Sequence, residues 1–159
     1  MRIGIGTDLH RLEPGDSLMI GGVAVPSDVR AVGHSDADAL LHALTDALLG
    51  AIAAGDIGEW FPDTDPANAG LDSRTMLAAA WREVQSRGFR LVNLDAVVQL
   101  ERPKHSPHRG EIRASLAREL GCSESQVFVK AKTGERLAPI GTREAIATTV
   151  VVLLESESA

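Results

Sequence analysis

Gly33-His34-Ser35-Asp36-Ala37-Asp38-Ala39-Leu40-Leu41-His42-Ala43-Leu44-Thr45-Asp46-Ala47-Leu48-Leu49-Gly50-Ala51 is the stretch on which the reading of this chain turns. Leu40, Leu41, Leu44, Ala47, Leu48 and Ala51 recur at helical spacing and form an apolar stripe. Ser35 and Asp38, three residues apart, have the form of a capping box and start the helix at about Asp36. Asp38, His42, Thr45 and Asp46 fall together on another face, since residues three and four apart are neighbours on a helix. His34 stands just before the cap, where helix amides favour an anion. A helix with this polar face reads as the wall of a site as well as a piece of core.

Composition narrows what such a site can serve. The 159 residues fit a single domain, 1–159, with a core of its own. Aromatics make up 3% and the net charge is −6, with basic residues scattered, so the basic-aromatic stripe of a nucleic-acid binder is missing. Cys122 is the one cysteine, which rules out an internal disulfide and suits a reducing cytoplasm. MRIGIGTD at the start lacks a signal-peptide pattern, and no apolar run is long enough to span a bilayer. These features point to a cytoplasmic chain with neither nucleic acid nor membrane as partner.

Outward from the organising helix, residues 2–10 read as a strand. Ile3 and Ile5 alternate with Gly4 and Gly6, so Gly4, Gly6, Asp8 and His10 share the opposite face. A second strand runs from Leu18 to Val25, and a loop through Asp28 leads to Gly33. Residues 55–70 form a long loop in which Ile57, Trp60 and Phe61 sit among carboxylates, an arrangement that suits an ordered cover over a site. Ser73 caps a helix over 74–87, with Met76, Leu77, Ala80, Trp81 and Val84 inward and Gly88 as its stop. A strand at 90–99, a basic loop at 101–109, a helix at 110–120 ending at Gly121, and strands at 127–132 and 145–154 follow, with a frayed tail at 155–159. The order β-β-α-α-β-α-β-β predicts an α+β two-layer sandwich, with helices packed on one face of a small mixed sheet.

Asp8, His10 and His42 compose the donor set of a catalytic zinc site with an open fourth position, two of them about 6.6 Å apart along one strand. Asp46, one turn after His42, is placed to hold the second ring nitrogen. The alternative is that Asp8 ends a strand in a turn and both histidines are satisfied locally. His34 suits a phosphate contact or a plain solvent-exposed loop position. Asp56, Asp63 and Asp65 suit substrate hydroxyls or a cation, and equally suit turns. Lys104 and His105 could face a phosphate or only solvent. Lys132, Thr133 and Glu135 join a cation, a hydroxyl and a hard oxygen ligand suited to Mg²⁺. The residues by themselves favour a metal-dependent enzyme acting on a phosphorylated small molecule.

GTDLHR at 6–11, GHSDADALLHALTDALLGA at 33–51, GDIGEWFPDTDP at 55–66, RPK at 102–104 and VKAKTGERL at 129–137 together resemble the 2-C-methyl-D-erythritol 2,4-cyclodiphosphate synthase family, in order and over nearly the whole chain. The resemblance implies a homotrimer with an active site at each subunit interface. It also implies a reaction of the non-mevalonate isoprenoid pathway, in which the 2-phosphate of 4-diphosphocytidyl-2-C-methyl-D-erythritol 2-phosphate attacks the β-phosphorus and expels CMP. By the same resemblance Asp8, His10 and His42 bind Zn²⁺, Glu135 binds Mg²⁺ or Mn²⁺ across the diphosphate, and His34 and Thr133 steady the transition state. Ser35 binds substrate, and the loop residues Asp56, Ile57, Gly58, Phe61, Pro62, Asp63, Thr64 and Asp65 hold the methylerythritol part. Leu100, Lys104, His105, Ser106, Lys132, Thr133, Gly134 and Glu135 come from the neighbouring subunit and clasp the CDP moiety. The segment Ala138–Ala145 departs from the family's Gly-Phe and Gly-Arg-Gly-Glu-Gly pattern, with Arg143 beside the position of the missing arginine. That departure touches ligand binding in the trimer's central cavity more than catalysis.

Overall fold

The computed structural model describes residues 1–157. Its elements are β1 (Arg2–Pro14), β2 (Ser17–Ile20), β3 (Val23–Pro26), β4 (Val29–Val32), α1 (Ala39–Ala51), α2 (Ile57–Trp60), α3 (Ser73–Ser86), β5 (Phe89–Gln99), α4 (Arg109–Leu120), β6 (Val127–Lys132) and β7 (Ala145–Ser156). Five strands form one sheet in the order β4-β1-β7-β5-β6, in which only β5 and β6 run parallel. The expected two-layer α+β arrangement is present: α1 lies on β1 and β7, with α3 beside it and α4 against β6. Of the tail expected to fray, Glu155 and Ser156 belong to β7, and residues 158–159 lie outside the described residues.

Three elements differ from the sequence reading. The single strand at 18–25 is a hairpin, β2–β3, that turns at Gly21 and Gly22 with φ of +62° and +76°. Two positive φ values in succession suit a two-residue hairpin loop, and glycine meets them without strain. The stretch before Gly33 contains β4, whose pairing with Arg11–Pro14 of β1 no local pattern announces. The long loop at 55–70 contains α2 and a short 3₁₀ turn at Pro66–Asn68.

The start of α1 also differs. Asp38, not Ser35, caps the helix, and the first helical residue is Ala39. The Asp38 carboxylate is fully buried and accepts N–H bonds from Gly21, Gly22, Leu40 and Leu41 at 2.7–3.1 Å. It thus stitches the β2–β3 turn to the helix and neutralises amides that burial would otherwise orphan. Likewise Asp72, not Ser73, caps α3, and its first residue is Ser73.

Core packing follows the apolar stripes. Leu40, Leu41, Leu44 and Leu48 of α1 meet Leu77 and Val84 of α3, Ile112 and Leu116 of α4, and Val98, Val150 and Val152 of the sheet. Each is almost fully removed from water, a gain of about 1.5–3 kcal/mol per large side chain. Gly4 and Gly6 set the spacing between layers. A Cβ on either would stand 1.9 Å from a carbonyl oxygen of Ala47 or Ala43, so the helix backbone rests directly on the strand. The opposite face of the sheet leaves Ile3, Ile5 and Leu9 exposed at 71%, 66% and 62%.

Candidate active site

Because Gly4 packs on Ala47 and Ala51 and Gly6 on Ala43 and Ala47, β1 advances toward the N-terminal end of α1. The next two residues on that face are Asp8 and His10, and His42 lies in the turn of α1 that they meet. The Asp8 Oδ2 lies 2.7 Å from His10 Nδ1 and 3.4 Å from His42 Nδ1. One ligand atom from each of the three falls within 4.8 Å of the others, and the imidazole centroids stand 5.1 Å apart. Asp8 Oδ2 and His10 Nδ1 are both buried, and despite their proximity neither makes a hydrogen bond of acceptable geometry. Two orphaned polar atoms and a third nitrogen aimed at one point fit the Asp-His-His donor set of a divalent transition metal with an open position.

Electrostatics agree with the geometry. Burial pushes the Asp8 carboxyl up, but the adjoining His10 and His42 imidazoles outweigh it and hold the group below its ordinary value. Burial pushes His42 down, and the Asp8 carboxylate, with Asp38 and Asp36 behind it, carries it above its ordinary value. Asp8 is therefore ionised and ready to ligate.

The three residues open onto a cleft of about 350 Å³ that is also lined by Gly33, His34, Ser35, Ile57, Gly58, Phe61, Asp63, Asn68 and Met76. Ile57, Gly58, Phe61 and Asp63, half of the expected substrate loop, are thus on the lining, and Pro62 and Thr64 are not. Asp56 and Asp65 are not on the lining: Asp56 caps α2 through Glu59 N–H at 2.9 Å, and Asp65 caps the 3₁₀ turn through Ala67 N–H at 2.9 Å. Both carboxylates shape the loop, with Pro62 and Thr64 between them. The Asn68 amide donates to Pro62 O at 3.0 Å and holds the loop closed, a role that its sequence context did not signal.

Two expectations for α1 are corrected. Asp46 does not hold His42; its Oδ1 accepts Ile57 N–H at 2.7 Å and anchors α2. The second nitrogen, His42 Nε2, faces Ser35 Oγ at 3.0 Å and Ser73 Oγ at 2.8 Å. The polar face read from spacing also divides: Asp38 and Thr45 are buried, Thr45 donating to Leu41 O at 2.8 Å, and His42 alone of the four lines the cleft. His34 lines the cleft as expected, but the Leu40 and Leu41 amides at the start of α1 are occupied by Asp38 and are not free for a phosphate.

A second, separate cleft of about 160 Å³ is lined by Leu100, Lys104, His105, Ser106, Arg109, Ala131, Lys132 and Thr133. Six of these were expected together, and Arg109 and Ala131 join them. His105 is 3% exposed with Nε2 unpartnered. Burial, then the charges of Arg109, His108 and Lys104, push its pKa down to about 4, so the ring is neutral at pH 7. Glu135, at φ +49°, is exposed and accepts from Thr133 Oγ1 at 2.6 Å, and Gly134 N–H donates to Glu101 Oε2 at 3.1 Å. Within one chain neither Thr133 nor Glu135 lines the cleft of Asp8, His10 and His42. In the divergent segment Arg143 pairs with Asp28 and lines a further cavity with Leu9, Arg11, Leu12 and Pro139.

Residues 1–155 match the model of the YgbB family. A 2-C-methyl-D-erythritol 2,4-cyclodiphosphate synthase of Cupriavidus necator is 51% identical over 97% of this chain and 91% of its own length. The chain belongs to the 2-C-methyl-D-erythritol 2,4-cyclodiphosphate synthase family. The homologous synthase of Geobacillus kaustophilus is 51% identical over 97% of this chain and 98% of its own. A solved synthase described as its CDP-bound form superposes with a TM-score of 0.90 at 45% identity, covering 97% of this chain and 100% of that one. Within this synthase family the correspondence extends across both clefts, since it runs nearly end to end. Among the described residues no helix is long and apolar enough to cross a membrane.

Proposed function

We propose that this chain converts 4-diphosphocytidyl-2-C-methyl-D-erythritol 2-phosphate to 2-C-methyl-D-erythritol 2,4-cyclodiphosphate and CMP, in the cytoplasm, as a step of the non-mevalonate isoprenoid pathway. The observation that carries the reading is the convergence of Asp8, His10 and His42 on one point of a cleft, in a chain of this family. Those three residues would hold Zn²⁺ and Glu135 a Mg²⁺ or Mn²⁺, which when bound supply positive charge to phosphate oxygens. The nucleophile is a phosphate oxygen already ionised at neutral pH, so the chain needs no strong general base. Its task is to bring two anions into line. The loop from Asp56 to Asp65 would position the methylerythritol end through Ile57, Gly58, Phe61 and Asp63. His34 and Thr133 would donate to oxygens whose charge grows in the transition state. In the second cleft Lys104, Lys132 and Arg109 supply cations, and the neutral His105 a hydrogen-bonding ring, for the CDP end.

A single chain separates the two halves of this machinery, and a homotrimer with sites at its interfaces would rejoin them. Support comes from the apolar sheet face of Ile3, Ile5 and Leu9, which a lone copy leaves in water. The test of the activity is incubation with the CDP-methylerythritol 2-phosphate and Mg²⁺, resolving products by chromatography and mass. CMP with an equimolar cyclic diphosphate is the expected result. A linear phosphorylated product would instead mean that water is the nucleophile, and unchanged substrate would sink the activity altogether.

A further inference from the structure

His42 Nε2 touches two hydroxyls, and one of them is not free to choose its direction. Ser73 Oγ donates to Asp36 Oδ1, and the same oxygen accepts Ser73 N–H at 3.3 Å and Asp38 N–H at 3.4 Å. An ionised carboxylate only accepts, so the single hydroxyl proton of Ser73 is committed to Asp36. Ser73 Oγ then presents a lone pair to His42 Nε2 at 2.8 Å, and that nitrogen must carry a proton for the contact to attract. Ser35 Oγ, which accepts Ala37 N–H at 3.1 Å and sits 3.0 Å from the same nitrogen, accommodates a shared proton without deciding it. With the proton on Nε2, the neutral ring keeps its lone pair on Nδ1, the atom facing Asp8.

We propose that Ser73, oriented by Asp36, is a positioning residue that fixes the His42 tautomer and ring direction, so that Nδ1 is offered as a ligand. Ser73 is fully buried and opens α3, 31 residues from His42 in sequence, whereas Asp36 precedes α1. The relay therefore also locks the start of one helix to the side chain of another. A histidine ligand commonly gives its other ring N–H to a carboxylate, carbonyl or water. Here a serine stands between imidazole and carboxylate, and the carboxylate acts at one remove. This inference rests on the metal reading of Asp8, His10 and His42.

The experiment uses the full chain freed of metal with a chelator, as wild type, Ser73→Ala and Asp36→Asn. Asp36→Asn keeps the shape but brings an amide donor that lets the Ser73 hydroxyl turn toward the ring. The ¹⁵N resonances of His42, read at a pH where the ring is neutral, report the tautomer without metal or substrate. Cobalt titration followed by visible absorption reports affinity, and thermal unfolding checks that each variant folds. The expected result is Nε2–H in the wild type, a shifted tautomer in both variants, and cobalt affinity lower by about 10–100-fold. Wild-type tautomer and affinity retained in Asp36→Asn would overturn the relay, as would Nδ1–H in the wild type even if Ser73→Ala failed to fold. A wild type that takes up no cobalt yet shows Nε2–H would sink the metal reading and leave the tautomer relay standing.

Discussion

His42 ties a helix, a strand and a distant serine to one imidazole, so its removal should be read on metal content before activity. His42→Ala deletes one of three convergent donors. Metal content by elemental analysis should fall to background, with activity down by at least about a hundredfold; full occupancy in that variant would exclude His42 as a ligand. Glu135→Gln offers the contrast, since Glu135 lies outside that cleft. It should keep the first metal and require several-fold more Mg²⁺ for half-maximal rate, and an unaltered Mg²⁺ curve would remove Glu135 from that role. His105 yields a pH prediction. Its folded pKa of about 4 lies below the ordinary histidine value of about 6.5. Between those values the unfolded chain binds a proton that the folded chain refuses. The corresponding stability is present above pH 6.5 and is lost as pH falls toward 4, with an upper bound of roughly 3 kcal/mol. His105→Gln should flatten the urea midpoint between pH 6.5 and 4.5; an equally steep decline would show that other groups drive it. At this scale the donor set Asp8, His10 and His42 was legible because strand alternation and residue chemistry are local. The partners of His42 Nε2 were not, because Ser73 reaches it only after α3 packs beside α1.

At the scale of elements, the contact between β1 and α1 decides the geometry of the site. Gly6 lets the carbonyl of Ala43 approach so closely that a methyl group there would collide with the backbone of Ala43 and Ala47. Gly6→Ala should cost about 3 kcal/mol and displace α1 from β1, with metal affinity falling alongside stability. A wild-type denaturation midpoint would refute that account. Helix and strand types followed from periodicity: α1, α3 and α4, and β1, β5, β6 and β7, each overlap the stretch expected for them. Errors fell where two local signals competed. Ser35 and Ser73 are good cap residues, yet Asp38 and Asp72 took the caps and both serine oxygens face His42. The strand at 18–25 became a hairpin because Gly21 and Gly22 could satisfy positive φ and lend their amides to Asp38.

For the molecule as a whole, the uncovered sheet face and the divided site make the same demand. Ile3 and Ile5 alternate with Gly4 and Gly6, which face the helix, so these two residues, like Leu9, point away from the core of their own chain. If copies associate through this face, Ile5→Glu should yield a folded species of monomer mass by light scattering. Activity should be lost by well over tenfold, because the clefts of Asp8 and of Thr133 would no longer be joined. A variant that keeps both the wild-type mass and full rate would separate this face from assembly.

By itself the sequence determined the α+β class, the division of β1 into two faces, and the donor types of the candidate metal site. Each of these is written in a period of two or 3.6 residues or in side-chain chemistry. Only the tertiary structure decided that Asp46 anchors α2 instead of His42, that Asp38 is a buried cap for two elements, and that Ser73 and Asp36 stand behind the imidazole. Those outcomes depend on which hydrogen-bonding groups meet when distant elements pack, and burial forces each group to take whatever partner arrives.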